Sequence, residues 1–452
     1  MPDPNSDRSS RIDTPPHQGD SPERIIRVST LARVEGEGAL TIRLCNDRVE
    51  EVQLRIFEAP RYFEAFLRGR HMQEVPDLTA RICGICPVAY QMSSCHALEQ
   101  LAGIEVSGPL RELRRLLYCG EWIESHTLHI YLLHAPDFLG YESALAMAQD
   151  RPEYAALVRN GLQLKKAGNA IISLLGGRAI HPINVRVGGF YHVPSKKELK
   201  QLGEELKGAH DLARQTVRWA ASLDFPAFEH DYEFVALRHQ AEYPMNEGRL
   251  VSSRGLNIAM SEFPKHFEEY QVPYSNAYQC RRKNGGAYYV GPLARWNLNF
   301  DRVPASIRQV ADETGITWPC RNPYVSIIAR SLEVLYAVEE AIRIITTYEM
   351  PDSPAMPYQP CAGQGAWITE APRGILYHGY ETDASGIIRQ ASIIPPTSQN
   401  QLQMEGDLLR IAPQLVNLSE QEAALRAEKV IRNYDPCISC ATHFLKLRVE
   451  RR

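Results

Sequence analysis

Long apolar runs are missing from this chain. None approaches the roughly 20 consecutive apolar residues that span a bilayer, so no membrane-crossing helix is expected. Basic runs are missing as well. A formal charge of −4 at pH 7 with no lysine- or arginine-rich stripe argues against a nucleic-acid surface. The residues from Met1 to Glu23 are polar, rich in Pro, Ser and Asp, and lack the apolar stretch of a secretory leader. They read as a disordered arm, residues 1–24, and the cytoplasm is the expected compartment. The sequence also has no Cys-x-x-Cys-x-x-Cys run for an iron–sulfur cluster. No Gly-x-Gly-x-x-Gly follows a strand, since Gly363-Gln364-Gly365 lacks the third glycine. Neither an iron–sulfur cluster nor a nucleotide site is therefore expected within this chain.

What is present fits a large globular body: 452 residues, 44% hydrophobic and 23% charged. Residues Ile25 to Phe57 alternate polar and apolar side chains around a turn at Cys45-Asn46-Asp47-Arg48, which predicts an antiparallel hairpin region. From Pro60 the period becomes helical. Pro87 suits a first helical position, with Val88, Met92, Cys95 and Leu98 on one face. A helix from Pro109 to His134 follows, then one from Tyr154 to Leu175 that stops at Gly176-Gly177. Ser195 with Glu198 forms a capping box, and Ile328 to Ile345 carries a long helical repeat. Two strands flank Asp383-Ala384-Ser385-Gly386, and a last helix covers Ser419 to Ile431. The expected fold is mainly α with small β-sheets at the two ends of the chain, an α+β protein. Its parts are an N-terminal β region (about 25–58), a helical core (about 60–350) and a C-terminal β and metal-binding region (about 360–443).

Six of the ten cysteines stand alone (Cys45, Cys95, Cys119, Cys280, Cys320, Cys361) and read as small buried hydrophobes. The other four form two pairs. One lies in Arg81-Ile82-Cys83-Gly84-Ile85-Cys86-Pro87, the other in Asp435-Pro436-Cys437-Ile438-Ser439-Cys440-Ala441-Thr442-His443. A large chain without a leader is no disulfide scaffold, so the pairs point to metal or redox chemistry. Two intervening residues let both thiolates of a pair reach one metal, and two pairs make a tetrathiolate. Zinc or a single iron fits that spacing as well as another soft metal does. Because the pairs come from opposite ends of the chain, the site must tie the fold together. Cys86 precedes a helix start, where the thiolate form is favoured.

Arg-x-Cys-Gly-x-Cys early in the chain with Asp-Pro-Cys-x-x-Cys-x-x-His late in it resembles the signature pair of nickel–iron hydrogenase large subunits. The resemblance runs from Arg33-Val34-Glu35-Gly36 to His443. The segment Ile393-Ile394-Pro395-Pro396-Thr397-Ser398-Gln399-Asn400 is similar to the cytoplasmic, bidirectional, NAD(P)-linked and sulfhydrogenase branch. The resemblance implies a helical-bundle core with the metal site joining the N- and C-terminal segments. It implies nickel on Cys83, Cys86, Cys437 and Cys440, with Cys86 and Cys440 also on an iron that carries carbonyl and cyanide ligands. Cys437 would serve as the base for the proton of H2, and Glu35 would relay that proton. Arg373 would stand over the open metal position, held by Asp435. Pro396 would line the pocket and Thr397 would bond a cyanide. Glu64, the carbonyl of Ile393 and His443 would bind magnesium, or iron, at a second site. His181 would shape the surroundings or pack as a core histidine.

Three positions depart from the usual pattern of the family: Tyr90, Ser125 and Glu37 stand where many members have histidine, aspartate and histidine. They bear on hydrogen bonding around the centre and on oxygen response. The segment Phe444 to Arg452 matches an extension that a maturation endopeptidase removes after nickel-insertion proteins have acted. The implied partners are an iron–sulfur small subunit, a flavin and NAD(P) subunit and a further iron–sulfur subunit, with H2 and protons as substrates and sulfur reduction as a side activity. The alternatives are a hydrogen-sensing subunit and a non-catalytic zinc-tetrathiolate protein of the same fold.

Overall fold

The computed structural model of the protein describes residues 23–45 and 48–442. Strands β1 (Glu23–Val28), β2 (Gly38–Cys45) and β3 (Arg48–Ile56) form an antiparallel sheet in that order. Glu23 and Arg24, expected in the arm, belong instead to β1; residues 1–22 lie outside the described part, as do Asn46 and Asp47 of the expected turn. Strand β2 alternates as its sequence requires, with Leu40, Ile42 and Leu44 buried against the C-terminal helices.

The central body is helical. Helix α1 (Pro87–Ala102) begins on Pro87 with Cys86 as its N-cap residue. Its expected apolar face is buried, but so is nearly everything else from Pro87 to Glu99, so it is a core helix and not an amphipathic one. Helix α2 starts at Gly108 and runs to Leu128, continuing as a π-helical turn at His129–His134. Helix α3 spans Pro152–Gly176 and α4 spans Lys196–Ala221, capped by the expected Ser195–Glu198 box. Helix α5 spans Ser326–Thr347. Helices α2 and α3 meet backbone to backbone: a Cβ on Gly168 would stand 2.6 Å from the carbonyl oxygen of Gly120.

Strands β4 (Gly363–Ala371), β5 (Gly374–Thr382) and β6 (Ile388–Ile394) make a second antiparallel sheet. Then come α6 (Pro396–Leu415) and α7 (Glu420–Arg432). Two features depart from expectation. Small sheets also occur in the middle of the chain, over Val235–Ile258 and Phe267–Arg282. Helix α6 has no apolar repeat at its start because its polar residues are buried and bonded. Asn400 pairs with both backbone groups of Val290 (2.9 and 3.0 Å), and Gln399 donates to the carbonyl of Ile375 at 2.7 Å. Of the lone cysteines, Cys95, Cys119 and Cys280 are buried as expected, whereas Cys45, Cys320 and Cys361 are half-buried.

Candidate metal centre

Both cysteine pairs meet in the core. Cys83, Cys86, Cys437 and Cys440 are each no more than 4% exposed. The Sγ atoms of Cys83, Cys86 and Cys440 lie within 4.8 Å of one another. Cys83 Sγ stands 3.6 Å from Cys437 Sγ. Cys437 and Cys440 are in direct sulfur–sulfur contact, with Cα atoms 5.4 Å apart. A pair that close can chelate one ion.

The first pair is shaped by the entry to α1. Backbone N–H groups of Ile85 and Cys86 donate to Cys83 Sγ at 3.4 and 3.3 Å. A hydrogen bond from Cys86 keeps the Cys83 thiol below its ordinary pKa against the cost of burial, aided by the charge of Arg373. The same bond and burial push Cys86 up. The hydrogen bond between the two side chains thus favours the thiolate on Cys83 over Cys86. Glu121 of α2 accepts from the N–H groups of Val88 and Ala89 at 2.6 and 3.0 Å, closing the first turn of α1.

The second pair is held by the N-terminal segment. Glu35 and Cys437 form a parallel bridge, and the N–H of Ile438 donates to the carbonyl of Glu35 at 2.9 Å. Cys437 Sγ donates to Glu35 Oε2 at 3.0 Å, and the N–H of Ser439 reaches the same oxygen at 3.1 Å. Ser439 Oγ donates in turn to Glu58 Oε2 at 2.8 Å. Gly36 lets these segments touch. Its φ is +86°, and a Cβ there would lie 2.7 Å from Glu58 Oε2 and 2.8 Å from both Ile438 Cβ and Ser439 N. Gly36→Ala is expected to cost about 1–3 kcal/mol of stability, readable as a lowered denaturation midpoint. An unchanged midpoint would mean the two segments are not in contact.

Arg373 occupies the two-residue turn between β4 and β5, where Ala371 pairs with Gly374. Its Nε donates to the carbonyl of Asp435 at 2.7 Å and its Nη2 to Asp435 Oδ1 at 3.1 Å. Burial opposes the guanidinium charge, but Asp435 and the neighbouring cysteines hold it protonated. Arg373 Nη1, Asp435 Oδ2, Tyr90 Oη and Ser125 Oγ are buried without a hydrogen-bond partner among the described residues. Four sulfurs with an uncommitted donor beside them suit a soft metal carrying small polar ligands.

Thr397, the second residue of α6 after Pro396, accepts the N–H of Cys437 at 2.9 Å. Glu64 Oε1 accepts the N–H of Ile393 at 2.7 Å, so these two members of the expected second site are adjacent. His443, the third, lies outside the described residues, as does the segment 444–452. His181, at a positive φ of 49°, bonds the carbonyl of Ala80 at 2.8 Å and so fixes the turn before Cys83. Glu37 is exposed. Sequence reasoning missed Glu58 and Glu121, whose only signal is three-dimensional: both are far along the chain from the groups they bond, the Ser439 hydroxyl and the N–H groups of Val88 and Ala89.

The chain matches the family described as nickel-dependent hydrogenase over residues 61–160 and 259–443. It is 35% identical to sulfhydrogenase 2 subunit alpha of Pyrococcus furiosus over 94% of this chain and all of that one. It is 26% identical to the NAD-reducing hydrogenase HoxS subunit beta of Cupriavidus necator, over 93% of this chain and 95% of the other. The crystal structure of an NAD+-reducing [NiFe]-hydrogenase superimposes with a TM-score of 0.84 at 26% identity, covering 93% of this chain and 99% of that one. A [NiFeSe] hydrogenase from Desulfovibrio vulgaris Hildenborough shares the fold, with a TM-score of 0.76 at 22% identity and 94% of this chain covered. No helix among the described residues is long and apolar enough to cross a membrane. With two cysteine pairs joined in one buried site and near-complete coverage by such relatives, this chain belongs to the nickel-dependent hydrogenase family, as a catalytic large subunit with a Ni–Fe active site.

Proposed function

We propose that the chain carries out reversible heterolytic cleavage of H2 at the four-cysteine site, with Cys437 as proton acceptor and Glu35 as the next carrier. The observation that carries this is the position of Cys437 Sγ, 3.6 Å from Cys83 Sγ on one side and 3.0 Å from Glu35 Oε2 on the other. When bound, a nickel–iron centre supplies the Lewis acidity that polarises H2 and takes up its electron pair. Cys83, Cys86, Cys437 and Cys440 would hold nickel, and Cys86 and Cys440 would also hold the iron with its carbonyl and cyanide ligands. The Cys437 thiolate takes one proton from H2 and hands it to Glu35 Oε2. Ser439 binds Glu35 through its N–H and Glu58 through its hydroxyl, so a second, half-exposed carboxylate stands next in line toward solvent. Arg373 directs its unpartnered Nη1 at the substrate position, while Asp435 fixes the rest of the guanidinium. Thr397 accepts from Cys437 N–H and keeps its own proton for a cyanide, beside Pro396. Glu64, the carbonyl of Ile393 and His443 would bind magnesium, or iron, at a second site.

Electrons leave through a separate iron–sulfur small subunit. In this reading they pass on, through a further iron–sulfur subunit and a flavin subunit, to NAD(P). The exposed apolar residues Ile180, Ile183 and Tyr191 suit such a contact, because the loop they flank is tied to the Cys83 turn by His181. The cytoplasm is the proposed compartment. A maturation endopeptidase acting after His443 completes the reading. The test is infrared spectroscopy with nickel and iron analysis on the native protein. Carbonyl and cyanide stretches with one nickel per chain are expected, together with H2-dependent NAD(P) reduction by the complex. Zinc without those stretches, in protein already cleaved after His443, would overturn it.

A further inference from the structure

Arg295 carries a charge into the core and spends every donor it has. A guanidinium offers five N–H groups. Nε and Nη2 bond the two carboxylate oxygens of Glu333, both at 2.8 Å. Nη1 bonds Glu370 Oε2 at 2.9 Å and the carbonyl of Ala371 at 2.7 Å. The remaining donor of Nη2 reaches the carbonyl of Pro372 at 3.0 Å. Its guanidinium also lies over the Trp122 ring, 4.5 Å from the centroid. The Trp122 indole N–H donates to the carbonyl of Glu370 at 3.0 Å. Three successive carbonyls, of Glu370, Ala371 and Pro372, are thus each fixed from outside the hairpin, and the next residue is Arg373.

The cluster is closed on its far side too. Tyr243 donates to Glu333 Oε1 at 2.7 Å, and His126 Nε2 stands 2.8 Å from Glu333 Oε2. Arg295, Glu333 and Glu370 are completely buried. Burial works against the Glu333 charge, but Arg295 brings its pKa down to about 2. Burial pushes Glu370 up to about 7. Packed apolar residues would stabilise such a core at least as well, so stability alone gives little reason for the arrangement. Its directional content is what apolar residues could not supply. Among the described residues, Arg373 makes its only side-chain ion pair with Asp435. Its aim depends on the turn that bears it.

We infer that Arg295 is a positioning residue for the reaction, clamping the Ala371 and Pro372 carbonyls at the Pro372–Arg373 turn so that the Arg373 guanidinium stays on Asp435 and faces the cysteine site. The inference rests on the reading of Arg373 given above. It is tested by a mutant cycle of Arg295→Lys and Arg373→Lys in the complete nickel-loaded enzyme, with a crystal structure of the Arg295→Lys variant. Lysine keeps the charge but has three donors in place of a five-donor fork. A displacement of about 1 Å can cost on the order of 100-fold, so Arg295→Lys should lower turnover by about 10- to 100-fold at unchanged nickel content. With Arg373 already lysine, the same change should cost less than about threefold, because coupled residues are not additive. In the crystal, the 2.7 Å contact between Arg373 Nε and the Asp435 carbonyl should open. Equal losses in both backgrounds with Arg373 unmoved would overturn the inference. Should Arg295→Lys not fold, Glu370→Gln, which keeps the size and a carbonyl acceptor, enters the same cycle with the same two outcomes. If Arg373→Lys alone leaves turnover intact, the reading of Arg373 fails. The crystal then decides on Arg295 by itself: a displaced Arg373 supports the clamp, and an unmoved one refutes it.

Discussion

Cys437→Ser is expected to lower H2 turnover by roughly 1,000-fold or more, within the range for loss of a positioned acid–base group and compounded by loss of a metal ligand. The sulfur has two duties that serine cannot share. As a soft donor it completes a set in which Cys83, Cys86 and Cys440 already stand within 4.8 Å. As a base of low basicity it holds a proton 3.0 Å from Glu35 and releases it again. An alcohol is a hard donor and far too basic in its ionised form. Nickel should fall with activity, while the buried helical core keeps far-ultraviolet circular dichroism near the native signal. A variant with native activity at full nickel would show that Cys437 is neither ligand nor base.

Glu35→Gln should separate those two duties. Glutamine preserves the size of the side chain, and its carbonyl can still accept from Ser439 N–H and from the Cys437 thiol. It cannot bind and release a proton. Turnover should therefore drop about 100-fold or more, the lower range for a lost proton carrier, with nickel content and infrared stretches unchanged. Glu35→Asp, whose carboxylate is shorter by one methylene, should retain part of the rate. Equal rates for the native enzyme and the Glu35→Gln variant would send the proton along another route. Together the two substitutions give different signatures: loss of metal with rate for Cys437, loss of rate alone for Glu35.

The cysteine pairs stood out by their spacing, whereas Arg373, Asp435, Glu35 and Thr397 could be picked out only by resemblance to the family's motifs; the structure brings Glu35 and Thr397 onto Cys437 and Arg373 onto Asp435. The long helices were legible from period and caps: Ser195 with Glu198 forms the capping box its spacing announces, and the last helix begins at Ser419 as expected, capped by a box with Glu422 that went unread. Helix α6 was not, because a run such as Ser398-Gln399-Asn400-Gln401 looks like a loop until its partners are known. Those partners, Ile375, Val290 and Tyr278, come from other elements. The same holds for Arg295. Nothing in Pro292 to Asn299 announces a buried cation, since Glu333, Glu370 and Ala371 supply its acceptors from two distant elements. Polar residues in a core can be read from sequence only when both halves of the bond are known.

The parallel bridge between Glu35 and Cys437 also sets an order in time. Cys83 and Cys86 leave the ribosome long before Cys437 and Cys440 exist. At roughly 5–20 residues per second, the wait is on the order of tens of seconds. Throughout it, two thiols capable of gripping any passing soft ion have no second pair to complete their cage. Faithful metal choice in this protein is thus a matter of schedule as much as of affinity: the early half-site must stay empty, or be emptied, until the last pair has been made.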